Sequence, residues 1–268
     1  MSAISLNASA SGLSAMQTSL DVIANNLANV NTSGFKSSRV NFEDYFYQEY
    51  AQPGIPEGDG NTRPTGLYVG LGVQVSGTQL NFTQGAPEPT GQPLDIAITG
   101  SGFFQVIAQD VGDGIGYTRA GAFTLNANGQ VVMSNSQGYV LEPEITVPQD
   151  ASSITVQPNG QVTAMLPGET EPTVLGQIML ANFVNPAGLE TVGANIYAPT
   201  AASGQPFENT PGENGMGMLQ GNTLEASNVD PVIQLVGLIK TQRAFEFNSQ
   251  VIESTSETLR QIAQLRAY

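Results

Sequence analysis

The residue types best able to do chemistry are sparse in this sequence. Two turns combine acids with glycine, Asp110-Val111-Gly112-Asp113-Gly114 and Glu57-Gly58-Asp59-Gly60. Their carboxylates suit a hard cation, yet neither turn reaches the ligand count of a calcium loop, so solvated turns are expected there. Glu142 and Glu144 form a carboxylate pair of the type a glycoside hydrolase uses, but among 23 acids such proximity arises by chance. Gly112, Gly114 and Gly116 have neither the spacing nor the following helix of a dinucleotide fingerprint. Cysteine, histidine and tryptophan are absent. That excludes disulfides, cysteine and histidine zinc sites, thiol nucleophiles and a Ser-His-Asp relay. No catalytic, cofactor-binding or metal-binding residue is expected, and no cofactor.

Chemistry being so limited, composition carries more of the reading. The 268 residues are 40 % hydrophobic and include 30 Gly and 16 Pro. This is too apolar for a disordered chain and too interrupted for an all-helical one. The formal charge of −15 makes nucleic acid an unsuitable partner. The charge is also unevenly placed. Residues 64–239 hold fourteen acids and one base, Arg119, whereas residues 1–35 hold a single charge, Asp21. The first residues show no basic region followed by an apolar run, so no cleavable signal peptide is expected, and no segment has the length of a membrane span.

The N-terminal segment reads as a helix with a heptad seam. Leu6, Leu13, Leu20 and Leu27 recur every seven residues, with Met16, Ile23 and Val30 at the alternate positions. Asn31-Thr32-Ser33-Gly34 is the expected stop, with Gly34 suited to a left-handed cap. Six Ser and five Asn fall within residues 1–31. At roughly 0.5 kcal/mol each relative to Ala they cost about 5 kcal/mol of helicity. Burial of the seam returns about 10–20 kcal/mol at most, and only against a partner surface. At the other end Asp230-Pro231 reads as an N-cap followed by proline at the first helical position. Leu238, Phe245, Ile252 and Leu259 then repeat every seven residues with Ile262 nearby, while Thr241, Asn248 and Thr255 interleave as polar seam positions. Polar interleaving suits a helix with several neighbours better than a dry two-stranded coil.

Between the helices the pattern is β. Leu94–Ala108 is strand-rich with a break at Gly100-Ser101-Gly102. Asn128-Gly129 and Pro158-Asn159-Gly160 punctuate alternating apolar runs as hairpin turns, and Thr173–Val184 adds one long strand or two. The segment from Tyr45 to Gly66 stands apart. Tyr45, Phe46, Tyr47 and Tyr50 cluster, and a loop containing Pro53, Pro56 and Pro64 follows, a composition that rejects a regular core element. The expected fold is therefore mixed α and β: paired long terminal helices, coiled-coil-like, around a body of antiparallel strands and hairpins.

Five blocks resemble one known family in its order: ANNLANVNTSGFK at 24–36, ITGSGFFQV at 98–106, YTRAGAFTLNANGQVV at 117–132, GLETVGANIYAP at 188–199 and SNVDPVIQLVGLIKTQRAFEFNSQVI at 227–252. They are similar to the rod, hook and hook-associated proteins of the bacterial flagellum. The segment Tyr45–Gly66 resembles the insertion that distinguishes distal rod subunits from hook protein, with a proximal rod subunit the nearest alternative. The resemblance implies a structural, non-catalytic subunit of the basal body spanning the periplasm, exported without a cleavable signal through the flagellar type III apparatus. It implies a hollow helical homopolymer that transmits torque. Proximal rod subunits and hook protein would meet its two ends, and the periplasmic and outer-membrane rings would surround it.

Under that reading residues 1–35 and 226–268 form a helical assembly domain. Residues 36–75 and 205–225 connect, carrying the insertion 45–66, and 76–204 form the outer β-rich body. Leu6, Leu13, Met16, Leu20, Ile23, Leu27, Val30, Leu238, Phe245, Ile252, Leu259 and Ile262 are the expected subunit interface. Tyr45, Phe46, Tyr47, Tyr50, Pro53, Pro56 and Pro64 are the expected stiffening insertion. A secreted β-rich adhesin would leave the two terminal seams unexplained, and a carboxylate-dependent hydrolase of cell-wall glycan would require a cleft that no motif marks.

Overall fold

The computed structural model describes residues 2–54, 64–109, 111–112, 114–168 and 171–265. Pro56, Glu57, Asp59, Asp110 and Asp113 lie outside the described residues. The architecture is the mixed one expected, with a helix at each end, α1 (Ser2–Ala28) and α2 (Pro231–Leu265), and antiparallel strands between them. The chain divides into two compact units. One comprises residues 1–27, 38–79 and 230–268, and the other comprises 28–37 and 80–229.

The helical unit begins and ends with local signals. The Asp230 carboxylate accepts from the backbone N–H groups of Val232 at 2.8 Å and Ile233 at 3.1 Å, so it caps the helix that Pro231 opens. At 35 residues, α2 is a rod of roughly 50 Å. Two hairpin-like strand pairs accompany the helices: Ser38–Asp44 with Val73–Leu80, and Tyr47–Ala51 with Leu67–Gly70.

In the β unit the strand Phe103–Ile107 is the organising element of a nine-stranded sheet. One edge pairs with Ile115–Thr118. The other edge is shared, Phe103 and Phe104 meeting Leu180–Asn182 while Gln105–Ile107 meet Val140–Glu142. Successive side chains point to opposite faces, so the doublet Phe103-Phe104 feeds two cores. Phe104 joins Ile98, Val106, Leu141 and Leu180 in the main core. Phe103 joins an edge-to-face aromatic group with Phe82, Phe183 and Tyr197, and Tyr117 packs edge-on against Phe183. The Asn128-Gly129 and Asn159-Gly160 steps both lie at hairpins, between Phe123–Leu125 and Val131–Met133 and between Ser153–Val156 and Gln161–Met165. Thr173–Val184 resolves into two strands in different sheets.

The segment that follows α1 and the segment that precedes α2 run side by side within the β unit. Gly34 N–H donates to the Glu225 carbonyl at 2.8 Å, and Ser37 N–H donates to Asn228 Oδ1 at 2.8 Å. Gly34 has φ +72°, and a Cβ there would come within 2.6 Å of the Ala120 backbone, so only glycine fits. It lies six residues beyond the last helical residue, Ala28. The turn at 29–34 thus takes Val30 out of the helix, and the seam expected to include Val30 ends at Leu27.

Three buried charges join these segments to the sheet. Lys36 Nζ lies 2.5 Å from Glu225 Oε1 and donates to the Thr83 carbonyl at 2.8 Å. Arg119 reaches Glu225 Oε2 at 3.5 Å, donates to the Gly100 carbonyl at 2.6 Å, and stacks over the Phe103 ring at 5.5 Å. Gly85 N–H also donates to Glu225. Burial pulls the Lys36 and Arg119 pKa values down, against the opposing pull of the Glu225 carboxylate. Burial likewise pushes the Tyr197 phenol well above its ordinary value.

Two outcomes follow. Glu225→Gln leaves two buried cations without a counter-charge and lowers unfolding free energy by about 3–5 kcal/mol in urea titrations followed by tyrosine fluorescence. The Tyr197 phenol keeps its proton to higher pH in the folded than in the unfolded chain. Its stabilising contribution is therefore complete below the ordinary tyrosine range and is lost as pH rises above about 10. Stability curves measured from pH 8 to about 12 fall more steeply for the native chain than for Tyr197→Phe over that window.

Candidate assembly surface

Three contacts set the register of the two helices within their unit. A Cβ on Gly12 would lie 3.0 Å from Asn248 Nδ2, a Cβ on Gly237 would lie 3.5 Å from Ile23 Cδ1, and Asn26 Nδ2 donates to Gln234 Oε1 at 3.4 Å. Position numbers rise along α1 as they fall along α2, each pair summing to 260. The helices therefore form an antiparallel hairpin. The same register sets Ala15 opposite Phe245 and Ser19 opposite Thr241.

The fully buried positions of α1 are small residues and one asparagine. Ser9, Gly12, Ala15 and Asn26 are the buried positions, with Ala15 only 2 % exposed. Leu6, Leu13, Met16, Leu20, Ile23 and Leu27 are half-buried. The serines and asparagines that lower intrinsic helicity also have structural work. Asn26 brackets the Ser38 backbone, accepting from its N–H at 3.0 Å and donating to its carbonyl at 2.8 Å. Ser11 Oγ donates to the Ala8 carbonyl at 2.9 Å and accepts from Val73 N–H at 3.2 Å. Heptad periodicity does not single out this small-residue stripe. Its signal in the sequence is a recurrence of Ser, Ala and Gly at three- and four-residue steps beside the leucines.

On α2 the polar seam position Thr241 is buried, its hydroxyl donating to the Gly237 carbonyl at 2.9 Å. Leu238 and Ile252 are half-buried, and Phe245, Leu259 and Ile262 are exposed. Val232, Ile233, Val236, Ile239 and Phe247 are exposed as well, with Val232 at 68 % and Phe247 at 66 %. At about 100° per residue, Val232, Ile233, Val236 and Ile239 fall within roughly a third of the circumference, nearly opposite the side carrying Gln234, Gly237 and Thr241. The helix thus has two working faces, one toward α1 and one bare. These extra apolar positions are also absent from the sequence-based interface.

The aromatic segment forms a strand pair outside the core. Tyr47–Ala51 pairs with Leu67–Gly70, with an irregularity at Tyr50, and the bonds Tyr45 N–H to Gly72 carbonyl and Leu71 N–H to Phe46 carbonyl extend the ladder. It is an exposed ribbon rather than a core element. Phe46 is 87 % exposed, Tyr45, Tyr47 and Tyr50 are exposed, and so are Pro53 and Pro64. A hydrogen bond to the Asp44 carboxylate holds the Tyr47 phenol above its ordinary pKa. Among the described residues no group of three acids stands where it could hold a metal ion, and no helix is long and apolar enough to cross a membrane.

Comparison with known proteins matches this layout in three segments. Residues 6–36 match the flagella basal body rod protein model, 97–164 the flagellar hook protein FlgE/F/G D1 domain, and 220–265 the flagellar basal body rod FlgEFG protein C-terminal model. The flagellar basal-body rod protein FlgG of Buchnera aphidicola is 44 % identical over 97 % of this chain and 99 % of its own length. The protein of the same name from Caulobacter vibrioides is 44 % identical over 98 % and 99 %, and that of Bacillus subtilis is 37 % identical over 98 % of each. The chain belongs to the flagellar basal-body rod protein family. Its relatives are structural proteins of the flagellum, and no catalytic family is indicated. Each family segment contributes one member of the buried charge group: Lys36, Arg119 and Glu225.

The close approach at Gly12 gives a test of the helical register. Gly12→Leu forces its side chain into Asn248 and costs about 1–3 kcal/mol of helical-unit stability, read as a lower thermal midpoint in far-ultraviolet circular dichroism. Leu13→Ala, at a half-buried position, lowers the midpoint less.

Proposed function

We propose that the protein is a structural subunit of the distal rod of the flagellar basal body, polymerising with copies of itself into a rigid hollow shaft that carries motor torque to the hook. The carrying observation is the bare apolar face of α2, exposed among the described residues in a family of rod proteins. Burying a Val, Ile or Phe side chain returns about 1.5–3 kcal/mol, so a helix presenting five such residues to water gains most when neighbours cover it. The half-buried leucines of α1, with Leu238, Phe245, Ile252, Leu259 and Ile262 of α2, complete the contacts between subunits. The β unit forms the outer wall, facing the surrounding rings with an acidic surface. Proximal rod subunits and hook protein bind the two ends, after export through the flagellar type III apparatus.

The exposed ribbon with Phe46, Tyr47 and Tyr50 bridges neighbouring subunits and stiffens the polymer. Its open rings and Pro53 and Pro64 beside it support this role.

Assembly is tested by Ile233→Glu with Phe247→Glu. Both residues are exposed, so the monomer's melting temperature is unchanged, while concentration-dependent filament growth in sedimentation and electron microscopy is lost. Filaments of native length from the double variant would overturn the role of this face. Stiffening is tested separately: deletion of 47–64 shortens the persistence length of filaments measured from electron micrographs, and an unchanged value would remove the ribbon from the mechanism.

A further inference from the structure

The chain contains three Asn-Gly steps, at 128–129, 159–160 and 214–215, and their backbone hydrogen bonds differ. Gly129 N–H donates to the Asn126 carbonyl at 3.0 Å, and Gly160 N–H donates to the Gln157 carbonyl at 2.9 Å. In both turns glycine is the fourth residue, and its N–H closes the turn. The third step is placed differently. Met216 N–H donates to the Glu213 carbonyl at 2.9 Å, so Asn214 and Gly215 are the two central residues, with φ of +49° and +82°. That is the backbone signature of a mirror-image type I′ turn, in which the N–H of the third residue is left outside the closing bond. Gly215 N–H accordingly donates to no acceptor among the described residues, and both Asn214 and Gly215 are exposed.

Asparagine followed by glycine can react with itself. The backbone nitrogen of the glycine, on losing its proton, attacks the side-chain carbonyl carbon of the asparagine. A C–N bond forms, the side-chain amide leaves as ammonia, and a five-membered succinimide remains. Water then opens either carbonyl, giving aspartate or the isomer in which the chain runs through the side-chain carbon. No oxidant, reductant or second protein is required. A glycine N–H held in a hydrogen bond is removed from the reaction until the turn opens, by the logic that protects it from hydrogen exchange. Glycine without a side chain also lets the attacking nitrogen approach freely.

We infer that Asn214 is a modification site of this protein, converting spontaneously to aspartate and isoaspartate, while Asn128 and Asn159 are protected by their turns. The product adds a negative charge beside Glu213. In the isoaspartate form it also adds a carbon to the backbone two residues before Met216, which is buried in the main core. The turn precedes the strand Met218–Gly221 that pairs with Ile96–Thr99, so conversion also loads the edge of that pairing.

The native full-length chain is incubated at mildly alkaline pH, then cleaved after glutamate. Glu142, Glu144, Glu208, Glu213 and Glu225 separate the three steps into different peptides. Mass spectrometry reads the gain from amide to acid, and chromatography resolves the two isomers. Asn214 is expected to convert at least about tenfold faster than Asn128 or Asn159, the margin that a modest opening free energy imposes on a bonded N–H. In concentrated urea the three rates converge. Equal rates at all three in the folded chain, or faster loss at Asn128 or Asn159, would overturn the assignment, as would an Asn214 that is stable folded and reactive only in urea.

Discussion

One carboxylate, Glu225, holds two buried cations, and the rest of the β unit is arranged around that fact. Lys36 and Arg119 would each be expelled from an apolar interior without it. Glu225 alone does not satisfy them. The Thr83, Ile98 and Gly100 carbonyls take further donors, and the Phe103 ring lies under the guanidinium. Coulomb attraction and hydrogen bonding thus repay desolvation only once five stretches of chain have come together. Such a node contributes little net stability compared with an apolar replacement, but it discriminates strongly between correct and incorrect assembly of those stretches. Lys36 and Glu225 lie on the segments that follow α1 and precede α2, and within the β unit the node ties both segments to one place in the sheet.

The helices follow a complementary rule. At two of the contacts between α1 and α2 one partner is a glycine: Gly12 admits Asn248 and Gly237 admits Ile23. Most of the leucines of α1 stay half-buried and the valines and isoleucines at the start of α2 stay exposed. The serines and asparagines of α1 make specific bonds to the neighbouring strands through Ser11 and Asn26. The helix thereby exchanges intrinsic propensity for fixed placement, since its stability comes from tertiary contact rather than from local preference.

Features written in adjacent residues are legible in the amino-acid order alone. Asp230-Pro231 caps and opens α2, the two Asn-Gly hairpins fall where their alternating flanks require, and the Phe103-Phe104 doublet lies on a strand. Each depends on backbone geometry within a few positions. The charge node is not legible in that way, because Lys36 and Glu225 are 189 positions apart and nothing in the amino-acid order pairs them. Periodicity locates the helical seams but ranks them by hydrophobicity, whereas burial within the chain follows size. The register selects Ser9, Gly12 and Ala15 over Leu13 and Leu20. The aromatic segment is no core element, as its proline and glycine content implies, but its strand pairing is not legible, because that pairing needs only backbone groups, which Tyr47–Ala51 finds in Leu67–Gly70.

The contrast between the two units explains how one chain serves an assembly. In the β unit, side chains on both faces of the central strand are buried and the buried cations Lys36 and Arg119 share the Glu225 carboxylate, so that unit is largely complete in itself. The helical unit is incomplete by construction: small residues join its helices, and Val232, Ile233, Val236, Ile239 and Phe247 remain in water. A monomer bears that exposed area as a free-energy deficit, which a docked neighbour would remove. Because the bare face of α2 lies nearly opposite the face that meets α1, a neighbour covers it without displacing the intramolecular hairpin. Association at that face, as proposed, would add contacts without undoing any.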